Sequence, residues 1–330
     1  MIGSTNILNL STLCKFLKKH DDYIILTHIS PDGDTLGSAY ALALGLISMG
    51  KKAFVVCNDE IPAKYNYFVK EAALKSIDYK TIVAVDVADA KLLGSLYEKY
   101  SDKIELNIDH HISNTHYAKN LYLDASASAT AECIYDVLKK LHVKITPLMA
   151  TALYTGISTD TGCFKYANVT PKTHLIAADL HRYGIDAAEI NRRMFDTKSK
   201  ERVELEKMVL DTAEFHFDNR CLVLTVTSEM QVTSGCEPSD LDGVASISRS
   251  VEGVLIGVSI KQTEEDTYKI SLRTYEPFDA SEICKTLGGG GHKAAAGCTL
   301  EGSLNDVKKQ IIDAVGKAIE KNDAGAIVTE

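Results

Sequence analysis

Short β-type apolar runs alternate with helical stretches through the first half of the chain, and that alternation leaves few folds open. Tyr23–Thr27, Ala53–Val56, Thr81–Val85 and Ile104–Ile108 are compact and rich in Val, Ile and Leu. Helical segments are expected over Thr35–Met49, stopped by Gly50, and over Thr130–Leu141, Pro147–Ser158 and Pro171–Tyr183. Strands separated by helices need crossover connections, so the expected class is α/β with a doubly wound, mostly parallel sheet.

With 330 residues the chain exceeds an ordinary domain of roughly 100–200 residues. The polar stretch Ala187–His216 carries many charges and reads as helical. Beyond it Leu222–Val226, Val254–Val258 and Tyr268–Leu272 read as strands, followed by a glycine run at Gly288–Gly291 and a closing helix over Leu304–Lys321. The expected organisation is therefore a first domain over 1–190, a helical linker over 191–215, and a second, smaller α/β domain over 216–330.

Ligands of open parallel sheets bind at the carboxyl ends of strands, and acids and histidines gather at such places here. His28, Asp32 and Asp34 follow the first strand; Asp86 ends the Thr81–Val85 run; Asp109, His110 and His111 end the Ile104–Ile108 run; Asp160 follows the apolar Met149–Ile157 segment. Taken singly, each group is ordinary: Pro-Asp-Gly-Asp is a good turn, and an Asp after a strand can cap a helix. Together, carboxylates converging on one sheet edge repel one another unless cations lie between them. Two imidazoles and several carboxylates, with no thiolate, favour Mn²⁺ or Mg²⁺ over structural zinc. Six such ligands suit two divalent ions sharing a bridging carboxylate, an arrangement that activates water for attack on phosphate esters.

A net charge of −9 argues against a broad basic surface coating long nucleic acid. It leaves nucleotide chemistry open, because carboxylates that hold cations are neutralised at work. No apolar run approaches the roughly 20 residues that span a bilayer, and the first residues lack an export pattern. The eight cysteines are scattered without a CxxC pair, which suits reduced, buried thiols in a cytoplasmic protein.

At these residues the chain resembles the DHH phosphoesterase family, whose motifs stand here as His28-x-x-x-Asp32-x-Asp34, Asp86, Asp109-His110-His111 and Asp160. The second half resembles the family's associated substrate-binding domain through Ser271–Thr274 and Gly288–Gly297. The resemblance implies that His28 and Asp32 bind one metal, that Asp34, His110 and Asp160 bind the other, and that Asp86 bridges them. It gives Asp109 a supporting role, places His111 near the scissile phosphate, and assigns Arg273, Gly289, Gly290, Gly291 and His292 to the substrate. Mn²⁺ is the favoured ion, with Mg²⁺ as the other choice.

Compact members of the family resemble this chain best. They include oligoribonucleases that trim RNAs of about two to five residues and dephosphorylate 3′-phosphoadenosine 5′-phosphate (pAp), so short oligonucleotides or small nucleotides are the expected substrates. A phosphodiesterase of cyclic di-AMP or pApA shares the same metal residues and is the main alternative. A single-strand DNA exonuclease, an inorganic pyrophosphatase and a non-catalytic nucleotide sensor fit less well. No membrane partner is expected, and a homodimer is one expectation for assembly. Lys165 and Ala167 stand where relatives often carry Arg and Ser, a departure that touches substrate choice and leaves the metal set intact.

Overall fold

Six parallel strands carry the first half of the chain: β1 (Asn6–Ile7), β2 (Tyr23–Leu26), β3 (Ala53–Val56), β4 (Thr81–Val85), β5 (Leu106–Asp109) and β6 (Asn120–Leu123). They lie in the order β1-β6-β5-β4-β2-β3. The computed structural model describes residues 5–236 and 243–327, and contacts divide the chain into two units between Thr197 and Lys198.

β2 and β4 are apolar along almost their whole length because both of their faces are covered. Ile25, Val83 and Val85 pack with the helices Gly33–Ser48, Thr130–Lys140 and Pro147–Asp160. Ile24, Leu26, Ile82 and Ala84 face the other way, onto Leu93 and Tyr100. This is the expected doubly wound α/β class. From β2 the chain moves out to β3 and then returns to β4 on the other side of β2, so the strand order reverses between β2 and β4. Such a reversal opens a crevice at the carboxyl ends of the two strands.

Two helices at that crevice begin with well-formed caps. The Asp32 side chain accepts the backbone N–H groups of Asp34 and Thr35 at the start of Gly33–Ser48. Thr146 caps Pro147–Asp160, with Pro147 in the first turn where its missing N–H costs nothing. The helices pack closely because the residues between them are small. A Cβ on Gly33 would collide with the Thr159 side chain, and one on Gly156 would lie 2.8 Å from Asp34 Oδ1. These two glycines bring the Asp32–Asp34 turn onto the end of the helix that carries Asp160.

The second unit is a mixed sheet in the order β11-β12-β10-β9-β8-β7. Its strands are β7 (Glu214–His216), β8 (Cys221–Val226), β9 (Ile256–Glu264), β10 (Thr267–Thr274), β11 (Gly290–His292) and β12 (Ala295–Glu301). Only β8 and β9 pair in parallel. The closing helix Leu304–Ile327 buries Val307, Ile311, Val315 and Ile319, a stripe at four-residue spacing, against one face.

The charged stretch expected to connect the domains is divided between the units. Ala187–Asn191 and the turn Arg192–Asp196 belong to the first, and the helix Lys200–Leu210 to the second. That helix buries Leu205 and Val209 with Leu222, Leu224 and Val226.

Candidate metal centre

The acids and histidines come together at the carboxyl ends of β2, β4 and β5. His28 follows β2, and its Nδ1–H donates to the Ile29 carbonyl at 2.7 Å, which leaves Nε2 as the presented atom. That nitrogen lies 3.7 Å from Asp32 Oδ1 and 3.7 Å from Asp86 Oδ2. Asp86 ends β4 in the left-handed region, with φ of 61°, and is buried. A non-glycine residue is rarely held there, although Asp tolerates it better than most.

His110 repeats the arrangement on the other side. Its Nδ1–H donates to the Ala127 carbonyl at 3.1 Å, and Nε2 faces Asp160 Oδ2 at 3.6 Å, Asp86 Oδ1 at 3.8 Å and Asp34 Oδ2 at 4.0 Å. Asp34 is almost fully buried in the first turn of its helix. Its Oδ1 accepts from the Ser38 hydroxyl and the Ala131 N–H, and its Oδ2 from the Thr130 N–H at 2.6 Å.

Asp109 is fully buried and is spent on orientation. Its Oδ1 accepts from the N–H groups of His110 and His111 and, at 2.8 Å, from His111 Nδ1. Its Oδ2 accepts from the Asn114 amide at 2.5 Å. His111 is thereby held with Nδ1 at 3.6 Å from Asp86 Oδ1 and about a third of its side chain exposed.

Among the described residues, three overlapping sets of side chains could hold a metal ion: His28, Asp32 and Asp86; Asp34, His110 and Asp160; and Asp86, His110 and His111. Asp109 belongs to none of them. Ligands about 2.1 Å from an octahedral ion stand roughly 3–4 Å from one another, and the separations here match that spacing. His110 Nε2 is buried with no hydrogen-bond partner among the described residues, the state of a nitrogen prepared for a cation. The donors therefore fit divalent ions of the oxygen- and imidazole-preferring kind.

Electrostatics gives the same answer. Burial, with Asp86 and Asp160 nearby, drives the Asp34 carboxyl well above the usual range. Burial, with Asp86 and Asp32 opposed by His110 and His111, lifts Asp160 to about 7. Burial disfavours a charged His28, but the carboxylates of Asp32 and Asp86 outweigh it and raise the imidazole to about 11. The Asp109 hydrogen bond lifts His111 to about 9 against the cost of burial. Without metal, the cluster must hold protons between its carboxylates; divalent ions would replace them.

Sequence reasoning missed Thr130. It donates its N–H to Asp34 and its hydroxyl to Asp86 Oδ1 at 2.8 Å. A signal was present, since Ala129 stands at the N-cap of Thr130–Lys140 with no capping side chain. A helix start without its own cap leaves N–H groups free for an outside anion.

The residues expected to meet substrate lie in the second unit. Arg273 on β10 is opposite Gly257 on β9 and Ala295 on β12, and Ala295 is opposite His292 on β11. Partners in register share a sheet face, so Arg273 and His292 lie on one face with alanine between them, roughly 10 Å apart across two strand spacings. The glycine run is more ordered than a loose loop. Gly289 N–H donates to the Cys284 carbonyl at 2.8 Å, and Gly290–His292 pair with β12 at the sheet edge. Among aromatic residues of the first unit, Tyr65 and Phe68 are core, the Tyr67 hydroxyl bonds to Thr155, and Tyr166 is exposed.

The chain matches the models of the DHH family N-terminal domain over residues 22–157 and of the DHHA1 domain over residues 218–321. It is 34% identical to the bifunctional oligoribonuclease and PAP phosphatase NrnA of Thermus thermophilus, with 90% of each chain covered. The protein of the same name from Bacillus subtilis is 26% identical, over 87% of this chain and 92% of its own. An exopolyphosphatase-related protein from Bacteroides fragilis has a similar fold, with a TM-score of 0.83 and 24% identity, covering 93% of this chain and 95% of that one. RecJ from Thermus thermophilus in complex with Mn²⁺ is more distant, with a TM-score of 0.55 and 15% identity, covering 96% of this chain and 56% of that one.

Proposed function

The chain belongs to the DHH family of phosphoesterases, with a DHHA1 domain behind the first, and from that premise we propose that it hydrolyses short oligonucleotides to mononucleotides and removes the 3′-phosphate of pAp. The observation that carries this reading is the carboxylate of Asp86, with Oδ2 toward His28 and Oδ1 toward His110. A carboxylate that serves two ligand sets is what a pair of ions sharing one bridge requires. His28, Asp32 and Asp86 would hold one ion. Asp34, His110 and Asp160 would hold the other with Asp86. Mn²⁺ is the favoured occupant, and Mg²⁺ has the same donor preferences.

When bound, the ions supply a water activated at neutral pH and positive charge at the phosphoryl oxygens. The protein's own groups do the rest. His111 gives its Nδ1–H to Asp109, and that hydrogen bond raises the ring to about 9, which favours its protonated form near neutral pH. Its Nε2–H is then a donor for charge developing on the phosphoryl group. Arg273 and His292, on one face of the second sheet, are assigned to a terminal phosphate, with Arg supplying a planar fork. A site that needs a phosphate end favours short substrates.

Among the described residues no helix is long and apolar enough to cross a membrane. A cytoplasmic enzyme acting on free nucleotides accords with this reading, and a homodimer is one expectation for its assembly.

A product time course with Mn²⁺ tests the assignment, using pAp, pApA, cyclic di-AMP, a short RNA series and pyrophosphate. AMP and phosphate from pAp, with AMP from pApA, are expected. Turnover of cyclic di-AMP in preference to both would transfer the assignment to the cyclic dinucleotide. Equal cleavage of a 20-residue RNA and a dinucleotide would remove the short-substrate reading.

A further inference from the structure

Thr130 touches two of the carboxylates on which the metal centre depends. Its backbone N–H donates to Asp34 Oδ2 at 2.6 Å, and its hydroxyl donates to Asp86 Oδ1 at 2.8 Å. Thr130 is fully buried, and its neighbour Ala131 gives a second N–H to Asp34, at Oδ1 and 2.9 Å. The helix Thr130–Lys140 thus starts on Asp34 in place of a capping side chain, because Ala129 provides none.

We propose that Thr130 is a positioning residue that sets the plane of the Asp86 carboxylate relative to Asp34, so that Asp86 bridges two ions and does not close on one. An aspartate can turn about its last side-chain bond and offer both oxygens to a single cation. The Thr130 hydroxyl occupies one lone pair of Oδ1, leaving the other toward His110 Nε2 and leaving Oδ2 toward His28 Nε2. Because Thr130 also holds Asp34 through its main chain, the two carboxylates keep a fixed separation. Valine has the same shape without the donor. Serine keeps the donor without the methyl group. The hydroxyl and the packing of this residue can therefore be tested apart.

This inference rests on the reading of a two-ion centre, and the wild-type control separates the two. Mn²⁺ is titrated into the metal-free full chain by calorimetry, and the free ion is followed by electron paramagnetic resonance, with no substrate present. Wild type is expected to take two ions. Thr130→Val is expected to bind at least one of them roughly 10–100-fold more weakly, the usual effect of removing a group that orients a metal ligand. Its kcat on pAp should fall at an Mn²⁺ concentration that saturates wild type and recover in part at higher Mn²⁺. Thr130→Ser is expected to restore most of the affinity. Wild-type Mn²⁺ affinity in Thr130→Val overturns the inference, as does a Thr130→Ser variant as weak as valine, because packing would then be the cause. A wild type that binds no Mn²⁺ overturns the two-ion reading and this inference with it. Circular dichroism checks each fold; should valine fail to fold, Thr130→Ala is held to the same criteria.

Discussion

Asp86 Oδ1 lies 3.8 Å from the Nε2 of His110, a buried ring nitrogen with no hydrogen-bond partner among the described residues. Leaving a buried donor or acceptor unmet costs roughly 1–3 kcal/mol, so the pair is unfavourable unless a third species joins it. The other oxygen of Asp86 lies 3.7 Å from His28 Nε2. The reversal of strand order between β2 and β4 brings both halves to one crevice.

Replacing Asp86 by alanine is expected to lower kcat on pAp by at least about 10³-fold, since charge stabilisation at phosphorus is the largest catalytic contribution such a centre makes. The variant should fold, because the left-handed φ of 61° costs alanine only about 1–2 kcal/mol, and one of several mutually repelling buried carboxylates is removed. Steady-state rates with a matched circular dichroism spectrum check this.

Metal binding is expected to release protons. His28, raised to about 11, carries a proton at pH 7, and Asp160, raised to about 7, carries a partial one. Both must be lost before these atoms can bind an ion. Apparent Mn²⁺ affinity should therefore climb as pH rises from 6 to 9 and weaken as pH falls through 7. Calorimetry in buffers of different ionisation enthalpy counts the protons, and a count near zero would contradict the linkage.

His111→Gln is expected to keep the metal and lose roughly 10²–10³-fold in kcat, the usual cost of one donor to developing charge. Asp109→Asn removes the charge that lifts His111 to about 9. Activity that depends on protonated His111 disappears as pH rises through that value. In Asp109→Asn the alkaline limb should begin at lower pH. A pH–rate profile on pAp reads the shift directly.

Much of this was legible before any coordinates, for a physical reason. Parallel strands covered on both faces are largely apolar, so β2 and β4 announce themselves, and polar residues at their ends stand out. Weaker signals were lost. β1 is only two residues long and β11 is made largely of glycine, and neither has an alternation to read. Leu205 and Val209 are core residues inside a stretch whose charges suggested a solvated connector. In the sequence Thr130 is only a helix start, because its partners Asp34 and Asp86 are far from it along the chain.

Leu205→Ala is expected to destabilise the second unit by about 2–5 kcal/mol, because Leu205 is fully buried in a small cluster. A denaturant titration followed by circular dichroism gives the loss. A change below 0.5 kcal/mol, on the order of ordinary surface substitutions, would contradict the packing assigned to this helix.

Arg273→Ala is expected to reduce kcat/KM on pAp by roughly 10–100-fold while Mn²⁺ affinity stays at the wild-type value. Lysine should recover little of the loss, since a point charge cannot reproduce a planar, two-pronged contact with phosphate.

The central claim is that two ions share Asp86, and anomalous scattering from crystals soaked in Mn²⁺ measures it. Two peaks are expected about 3.5–4 Å apart, one beside His28 and Asp32, the other beside Asp34, His110 and Asp160, with an Asp86 oxygen at each. A single peak, or peaks away from these side chains, would contradict it.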